Sequence, residues 1–151
     1  MLSTVLIDFL EKNAMQYEIV EHSISYTAQE TAEMAHVSGK DFAKTVIVKI
    51  DGEAAMVVTQ GHRRLDLDVL KQQLGAEEIK MASEFSFEKQ FPDCELGAMP
   101  PFGNLWNMRV FVDTALTEDE FIAFNAGSHE ELIKMSYKDY ETLVKPKVIA
   151  A

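Results

Sequence analysis

The amino-acid sequence predicts an α+β (mixed α/β) domain, in which a central mixed β-sheet of about six strands is flanked by four or five helices. Three observations support this prediction. Short β-branched runs recur and several are joined by turn residues, apolar residues elsewhere fall at helical spacing, and 47% of the residues are hydrophobic while 26% are charged. Because neither a linker nor a repeat interrupts the 151 residues, 1–151 are expected to form a single domain.

The N-terminal third is predicted to contain a helix, a strand and a second helix. Apolar residues at i, i+3 and i+4 spacing, with charges on the other side, predict a helix over residues 3–13. Alternation predicts a short strand over residues 17–20. Thr27, with a glutamate three residues later, forms a capping-box pattern. This pattern predicts a helix over residues 27–35, closed by residues 37–39.

The middle of the chain carries the clearest sheet signal. The run KTVIVKI predicts a strand over residues 44–50, and an Asp-Gly hairpin turn leads to its return strand over residues 54–59. Asp66 is expected to cap a helix that ends near Gly75.

The next segments are short. Residues 78–81 are predicted to form a strand, and residues 83–90 a helix stopped by Pro92. The run MRVFVD predicts another strand over residues 108–113.

The C-terminal part is predicted to form a hairpin and a final helix. Its strands cover residues 121–125 and 131–135, and Ser136 is expected to cap a helix that reaches about Val144. Residues 147–151 are expected to fray.

Charge restricts the classes of function. A formal charge of −11 argues against tight nucleic-acid binding through broad phosphate neutralisation. A local positive rim stays open, because several basic residues and a histidine lie in one part of the sequence. They are Lys40, Lys44, Lys49, His62, Arg63 and Arg64. The alternative is a set of scattered, solvated side chains.

No metal and no cofactor are expected. Cys94 is the only cysteine, which excludes an intramolecular disulfide and disfavours a structural zinc site. The histidines lack ligand spacing, and no Walker or dinucleotide-binding motif occurs. The four histidines are His22, His36, His62 and His129. No apolar run is long enough for a membrane span and the N-terminus lacks the basic start of a signal peptide, so no membrane partner and a cytoplasmic location are expected.

The stretch LGAMPPFGNLW, residues 96–106, has the composition of a rigid, shaped loop. Its prolines fix φ and its glycines allow a ligand to approach the backbone. It could form a pocket wall, and an ordinary turn with aromatic anchors is the alternative.

Three other positions are ambiguous on local sequence. Lys44 begins a strand, where an ammonium can hold a phosphate or a carbonyl oxygen, although a lysine at a sheet edge also reaches solvent. Asn125 and His129 flank a hairpin turn, where they could bind a ligand or satisfy backbone groups.

Three segments in this order form a recognisable set: AKTVIVK around Lys44, GAMPPFG over residues 97–103, and NAGSHEELIKMSYKDYETLV from Asn125. Together they resemble the YbaK/prolyl-tRNA synthetase-associated domain family. The resemblance extends over almost the whole chain, and the specificity lies in the ordered set rather than in any one segment. It implies a mixed central sheet flanked by helices.

The resemblance also implies an activity. The family includes the editing insertion of bacterial prolyl-tRNA synthetases and free-standing relatives that act in trans. Its members hydrolyse the ester between a wrong amino acid and tRNA, for example in alanyl- or cysteinyl-tRNA(Pro) or related mischarged species, and a free-standing chain is expected to act in trans. The implied partners are the acceptor end of the tRNA and, for delivery, an aminoacyl-tRNA synthetase. The implied mechanism needs no protein nucleophile, since a hydroxyl of the terminal ribose, or a water that it orients, attacks the positioned ester.

The resemblance implies site residues by position. Lys44 matches the family lysine, and residues 97–103 match the loop whose backbone amides face the substrate carbonyl and the terminal adenosine. The catalytic positions are therefore Lys44 and Gly97. The expected substrate-binding residues are Thr45, Met99, Pro100, Pro101, Phe102, Gly103, Asn125 and His129. Apolar pocket walls are expected from Met34, Ile47, Met99 and Phe102. Thr45 favours the cysteine-type members, since alanine-specific members often carry asparagine there.

Two alternatives remain open at this point. The acidic surface and the lack of an acid/base pair allow a non-catalytic module that binds an aminoacyl or nucleotide-like ligand, or a synthetase. Cys94 allows a cysteine-dependent hydrolase or redox protein.

Overall fold

Among the described residues, eight strands in two sheets form the frame of the molecule. The computed structural model describes residues 2–35, 38 and 40–150. The strands are β1 Glu18–Glu21, β2 Ala43–Ile50, β3 Glu53–Gln60, β4 Ile79–Met81, β5 Arg109–Asp113, β6 Phe121–Asn125, β7 Glu131–Ser136 and β8 Lys147–Ile149. The larger sheet has the order β4-β2-β3-β5-β8, and the smaller sheet has the order β1-β7-β6.

The described residues contain five α-helices, most of them short. They are α1 Thr4–Lys12, α2 Ala28–Met34, α3 Leu67–Leu74, α4 Glu84–Phe87 and α5 Tyr137–Val144. Short 3₁₀ segments cover Glu88–Gln90, Gly103–Trp106 and Thr114–Glu118. The α+β class is thus confirmed. None of the helices in the described part of the chain is both long and apolar enough to cross a membrane.

The β2–β3 hairpin has the turn that its sequence predicts. Asp51 and Gly52 both have positive φ, 49° and 88°, and the strands pair antiparallel around them. Strand β5 then runs parallel to β3, and β8 runs parallel to β5. Parallel neighbours are usually buried on both faces, and Val57 and Val58, on opposite faces of β3, are both fully buried.

The expectation that residues 147–151 fray is wrong for the described part of that segment. Lys147–Ile149 is an ordered edge strand, and Ile149 is buried. Gln73 holds the next residue, because its side chain bonds both the amide and the carbonyl of Ala150. A lone terminal strand without alternation gives no local signal, so only its pairing with β5 reveals it.

The number and grouping of strands also differ from the expected single sheet of about six. β1 pairs with β7 from the other end of the chain, which separates a three-stranded sheet from the main one. The two sheets are joined where Ala123 donates a backbone hydrogen bond of 2.9 Å to the carbonyl of Asp41. This junction places the beginning of β2 beside β6.

Side-chain caps begin the helices at the expected positions. The Thr27 hydroxyl accepts from the Glu30 amide, Asp66 accepts from the first turn of α3, and Ser136 accepts from the Asp139 amide. Gly75 ends α3 with φ 63°. The predicted closure of α2 by Val37 and Gly39 lies outside the described residues.

Candidate active site

A small cavity of about 160 Å³ lies where the two sheets meet. Four segments contribute to it: the residue before the α2 cap, the beginning of β2, the Gly97 loop and the end of β6. Its lining residues are Tyr26, Phe42, Ala43, Lys44, Thr45, Gly97, Met99 and Asn125. Five of the predicted site residues, from three distant segments, therefore come together in one place.

Lys44 is held at this cavity by a backbone group. Its Nζ donates a hydrogen bond of 2.5 Å to the carbonyl oxygen of Arg63. Arg63 in turn forms an ion pair of 3.4 Å with Asp113, whose side chain is only 2% exposed. Burial and the nearby Arg64 charge lower the pKa of Lys44 below that of a free lysine.

The positive rim that the sequence left open is only partly present. Arg64 lies close enough to Lys44 to affect its pKa, and Arg63 is engaged with Asp113. Lys49 lies at the far end of β2, opposite Ala54 and next to the hairpin turn. Lys49 is therefore remote from the cavity.

The loop over residues 96–106 divides into two parts, and its first part faces the cavity. Gly97 has φ 82°, a backbone conformation that favours glycine. The Ala98 amide donates to the carbonyl of Glu95 at 3.0 Å. Among the described residues, the amides of Gly97 and Met99 have no acceptor. Both residues line the cavity, so their amides are candidate donors to a ligand.

The second part of the loop packs into the core and does not line the cavity. Pro100 accepts from the Phe102 amide at 2.8 Å, and Pro101 accepts from the buried hydroxyl of Tyr140 at 2.7 Å. Phe102 is fully buried and its ring contacts that of Tyr140 at 5.3 Å. A Cβ on Gly103 would lie 2.7 Å from the Met108 carbonyl oxygen.

The expectation of direct substrate contact therefore finds no support at Pro100, Pro101, Phe102 and Gly103. These residues anchor the loop, whereas Gly97 and Met99 line the cavity. The composition of the loop could not separate these roles, because glycines and prolines serve both close packing and close approach to a ligand.

His129 lies behind the loop rather than in the cavity wall. Its amide donates to a carboxylate oxygen of Glu95 at 2.7 Å, and its Nε2 lies 2.7 Å from the carbonyl oxygen of Leu96. A Cβ on Gly97 would lie 3.4 Å from its Cε1. The residue as a whole is 8% exposed. His129 thus supports the loop and does not itself line the cavity.

Two polar groups in the cavity wall lack a partner. The Oδ1 of Asn125 is buried and accepts no hydrogen bond from any residue that the structure describes. The Thr45 hydroxyl has no hydrogen-bond partner among the residues that the structure describes. A buried acceptor without a partner costs free energy, so the Asn125 Oδ1 indicates a polar ligand, whereas Thr45 is only half-buried.

Sequence reasoning missed Tyr26, Phe42 and Ala43, because each belongs to the cavity only through the packing of the two sheets. The position of Tyr26 just before a capped helix was the available signal. Ile47, an expected wall, is 4% exposed and packs in the core instead. The side chain of Met34 lies outside the described part of the chain.

Cys94 does not have the properties of a nucleophile. Burial and the adjacent Asp93 carboxylate raise the pKa of its thiol to about 12. A thiol in this state is protonated at neutral pH, and the thiolate is the reactive form. In the described ranges, no three His, Cys, Asp or Glu side chains are placed to hold a metal ion.

A larger cavity, of about 690 Å³, lies near the β2–β3 turn. Its charged groups largely offset one another, because Arg109, Lys145 and Lys147 face Asp51 and Glu53. The carboxyl ends of α3 and α5 add partial negative charge. The unpartnered polar groups therefore favour the smaller cavity as the functional site.

Comparison with known proteins identifies the class and then the family. A deacylase of Escherichia coli, the multifunctional Ser/Thr-tRNA deacylase ProXp-y, is 24% identical over 150 residues, covering 95% of this chain and 89% of the relative. The prolyl-tRNA editing protein ProX of Acetoanaerobium sticklandii is 25% identical over 143 residues, covering 90% and 86%. The chain is an aminoacyl-tRNA deacylase, an enzyme that hydrolyses the ester of mischarged tRNA. The aminoacyl-tRNA editing domain model matches residues 22–143, and the chain belongs to that family.

The fold agrees with this assignment. A solved structure of a candidate trans-editing enzyme for prolyl-tRNA synthetase superposes with a TM-score of 0.84. The match covers 98% of this chain and 94% of the other at 19% identity, which shows a shared fold.

Proposed function

We propose that the 160 Å³ cavity holds the aminoacyl ester at the acceptor end of a mischarged tRNA, and that the chain removes a small, hydroxyl-bearing amino acid. The observation that carries this proposal is the convergence of Lys44, the free Gly97 and Met99 amides and the unpartnered Asn125 Oδ1 on one small cavity. The reaction breaks the ester bond, adds water across it, and releases the amino acid and the tRNA hydroxyl.

The groups around the cavity match what ester hydrolysis needs. The amides of Gly97 and Met99 are candidate donors to the oxyanion that develops on the carbonyl oxygen. Lys44 supplies a fixed positive charge for the same oxygen or for a phosphate of the terminal nucleotide. Asn125 Oδ1 is a suitable acceptor for the α-ammonium of the amino acid. An aminoacyl ester is activated, so positioning by these groups can suffice without a protein nucleophile.

Cavity size and polarity suggest the amino acid. At about 30 Å³ per water, 160 Å³ corresponds to roughly five waters, which suits a small aminoacyl group. The Thr45 hydroxyl offers a partner to a serine hydroxyl, whereas alanine would leave it unpaired. A site built around such a hydrogen bond discriminates strongly against the analogue that lacks it. Seryl-tRNA is therefore the preferred substrate in this proposal, with threonyl-, cysteinyl- and alanyl-tRNA as weaker ones.

The acidic surface limits how the tRNA is held. With a formal charge of −11, the chain is suited to contact only the acceptor end, near Lys44 and Arg64. An aminoacyl-tRNA synthetase that delivers the mischarged tRNA would supply the remaining affinity.

A panel of mischarged tRNAs tests the proposal. Seryl-, threonyl-, alanyl- and cysteinyl-tRNA are incubated with the wild type, with Lys44→Ala and with Thr45→Val. We expect seryl-tRNA to be hydrolysed fastest, and Lys44→Ala to lower kcat/KM about 10²-fold, as for the loss of one oxyanion-stabilising group. Thr45→Val preserves shape and should lower the seryl-to-alanyl ratio about ten-fold or more.

Lys80→Ala is the matched control, because Lys80 lies on β4 next to Glu78 and away from the cavity. It should leave all rates unchanged. Hydrolysis no faster than in buffer, or full activity of Lys44→Ala, would refute the proposal. An unchanged seryl-to-alanyl ratio in Thr45→Val would refute only the assigned amino acid.

A further inference from the structure

Tyr26 is the one strongly exposed side chain among the lining residues described for the small cavity. It is 73% exposed, while Phe42, Ala43 and Met99 beside it are at most 5% exposed. Gly97, also exposed, has no side chain. Tyr26 and Gly97 therefore mark the mouth of the cavity.

The Tyr26 ring rests on a fixed support. Its centroid lies 4.8 Å from that of His129, with the two planes tilted by 53°. His129 cannot easily move, because its amide is bonded to Glu95 and its Nε2 lies 2.7 Å from the carbonyl oxygen of Leu96. One side of the tyrosine ring is thus covered by a buried imidazole, and most of the rest of the residue faces solvent.

The backbone of Tyr26 is fixed on both sides. The Ser25 amide donates to the His129 carbonyl oxygen at 3.2 Å, and the Ser25 hydroxyl lies 2.7 Å from that of Thr31. On the other side, Thr27 caps α2 through a hydrogen bond from the Glu30 amide. An exposed aromatic ring in such a setting is preorganised, so little entropy is lost when a partner stacks on it.

The ester substrate requires a partner of this kind. With the amino acid inside, a cavity of 160 Å³ has little room left for the nucleobase of the esterified nucleotide, so the base is expected at the mouth. We infer that Tyr26, supported by His129, is the stacking platform for that terminal base. This inference rests on the proposed function, and it adds a nucleobase subsite to the aminoacyl subsite. Stacking on a single aromatic side chain changes affinity by roughly ten-fold or more.

Kinetics with the preferred mischarged tRNA provide the first test. Tyr26→Leu should raise KM about ten-fold and change kcat less than about three-fold, since stacking is made equally in the ground and transition states. Tyr26→Phe keeps the ring and should behave as the wild type. Phe121→Leu, which removes an aromatic side chain that is 45% exposed elsewhere, is the control and should have no effect.

A binding cycle separates this inference from the proposed catalysis. The probes are the seryl amide of 3′-amino-3′-deoxyadenosine, which cannot be hydrolysed as an ester, and the same amide on a ribose without a base. By calorimetry, removal of the base should weaken binding about ten-fold in the wild type and less than two-fold in Tyr26→Leu. Equal losses in both proteins would overturn the platform, as would a Tyr26→Leu variant that binds the adenosine probe like the wild type. If the wild type hydrolyses no mischarged tRNA, the proposed function fails, and the binding cycle still decides the role of Tyr26.

Discussion

The ammonium of Lys44 and the backbone carbonyl of Arg63, 19 positions apart, are joined by a hydrogen bond of 2.5 Å. The buried Asp113 in turn pairs with the Arg63 side chain and accepts a hydrogen bond of 2.9 Å from Thr59. A lysine held in this way has a defined position at the cavity before substrate arrives, which is the condition for electrostatic catalysis.

The alkaline limb of the pH–rate profile should depend on Arg64. Burial and the Arg64 charge lower the pKa of Lys44, so Lys44 loses its proton at a lower pH than a free lysine. Arg64→Gln removes the like charge and should move the alkaline limb of kcat/KM to higher pH. Deacylation rates, corrected for hydrolysis without enzyme, measure this shift.

Lys80→Ala is again the control for the removal of one positive charge, and its profile should match that of the wild type. A limb that stays in place in Arg64→Gln would mean that the titration of Lys44 does not govern the alkaline loss of activity.

Gly97→Ala should lower activity more than its effect on stability explains. The φ of 82° strains any other residue by about 1–3 kcal/mol, and the new Cβ would lie 3.4 Å from the Cε1 of His129, behind the loop. We expect kcat/KM to fall about ten-fold or more, because misplacement of the loop amides weakens the oxyanion contacts.

Gly52→Ala is a closely matched control for Gly97→Ala. Gly52 has φ 88° and open space around its Cβ position, and it lies in the β2–β3 turn. The Gly52→Ala variant should lose about as much thermal stability as Gly97→Ala and keep the activity of the wild type. Equal kinetic losses in the two variants would contradict the assigned role of the Gly97 loop.

Gly103→Ala tests the division of the same loop. Its Cβ would lie 2.7 Å from both the Met108 carbonyl oxygen and a methyl group of Val110, so overpacking should cost about 1–3 kcal/mol in the free energy of unfolding. Because Gly103 does not line the cavity, kcat/KM per folded molecule should remain that of the wild type. Urea unfolding and deacylation at a temperature where the variant is folded measure the two quantities. A loss of kcat/KM larger than two-fold in the folded variant would return Gly103 to the substrate-binding set.

Asp119 should make the stability of the fold depend on pH. Burial, then the charges of Asp41 and Glu118, raise its pKa from 3.8 to about 6. The folded chain therefore holds this proton more tightly than the unfolded chain. The resulting stabilisation is complete below about pH 3.8 and is lost as the pH rises through 6.

Asp119→Asn should consequently raise the Tm relative to the wild type at pH 8, and this gain should disappear near pH 4. Glu88→Gln removes one negative charge from an exposed position and should show no step through pH 6. Thermal unfolding of the wild type and the variants at pH 4 and pH 8 measures the difference in Tm. A gain in Tm for Asp119→Asn that persists at pH 4 would show that the ionisation of Asp119 is not its cause.

Local chemistry made much of the fold predictable. The Asp-Gly turn, the capping side chains of Thr27, Asp66 and Ser136, and the Gly75 stop act within a few residues of themselves, and the structure has each of them where the sequence predicts it. Their energetics depend on neighbours in sequence, so the sequence is sufficient to find them.

The candidate site was predictable only in part. Lys44 and Asn125 are ambiguous on local sequence and are predicted, with Gly97, from the resemblance to the family; the structure brings all three to the cavity. Tyr26 and Phe42 carry no comparable signal. Phe102 and Gly103 share the loop composition but pack against Tyr140 and Met108, a contact that no local pattern reports.

The sequence by itself thus determined the α+β class, the central hairpin with Lys44 at its beginning, and the loop that follows Leu96. Only the tertiary structure decided which half of that loop faces the cavity, that His129 supports it from behind, and that Tyr26 lies at the mouth. The physical reason is the separation in sequence between the residues that interact. Turns and caps are set by bonds within a few residues, whereas the cavity exists because the pairing of β1 with β7 and the junction between Asp41 and Ala123 bring four distant segments together.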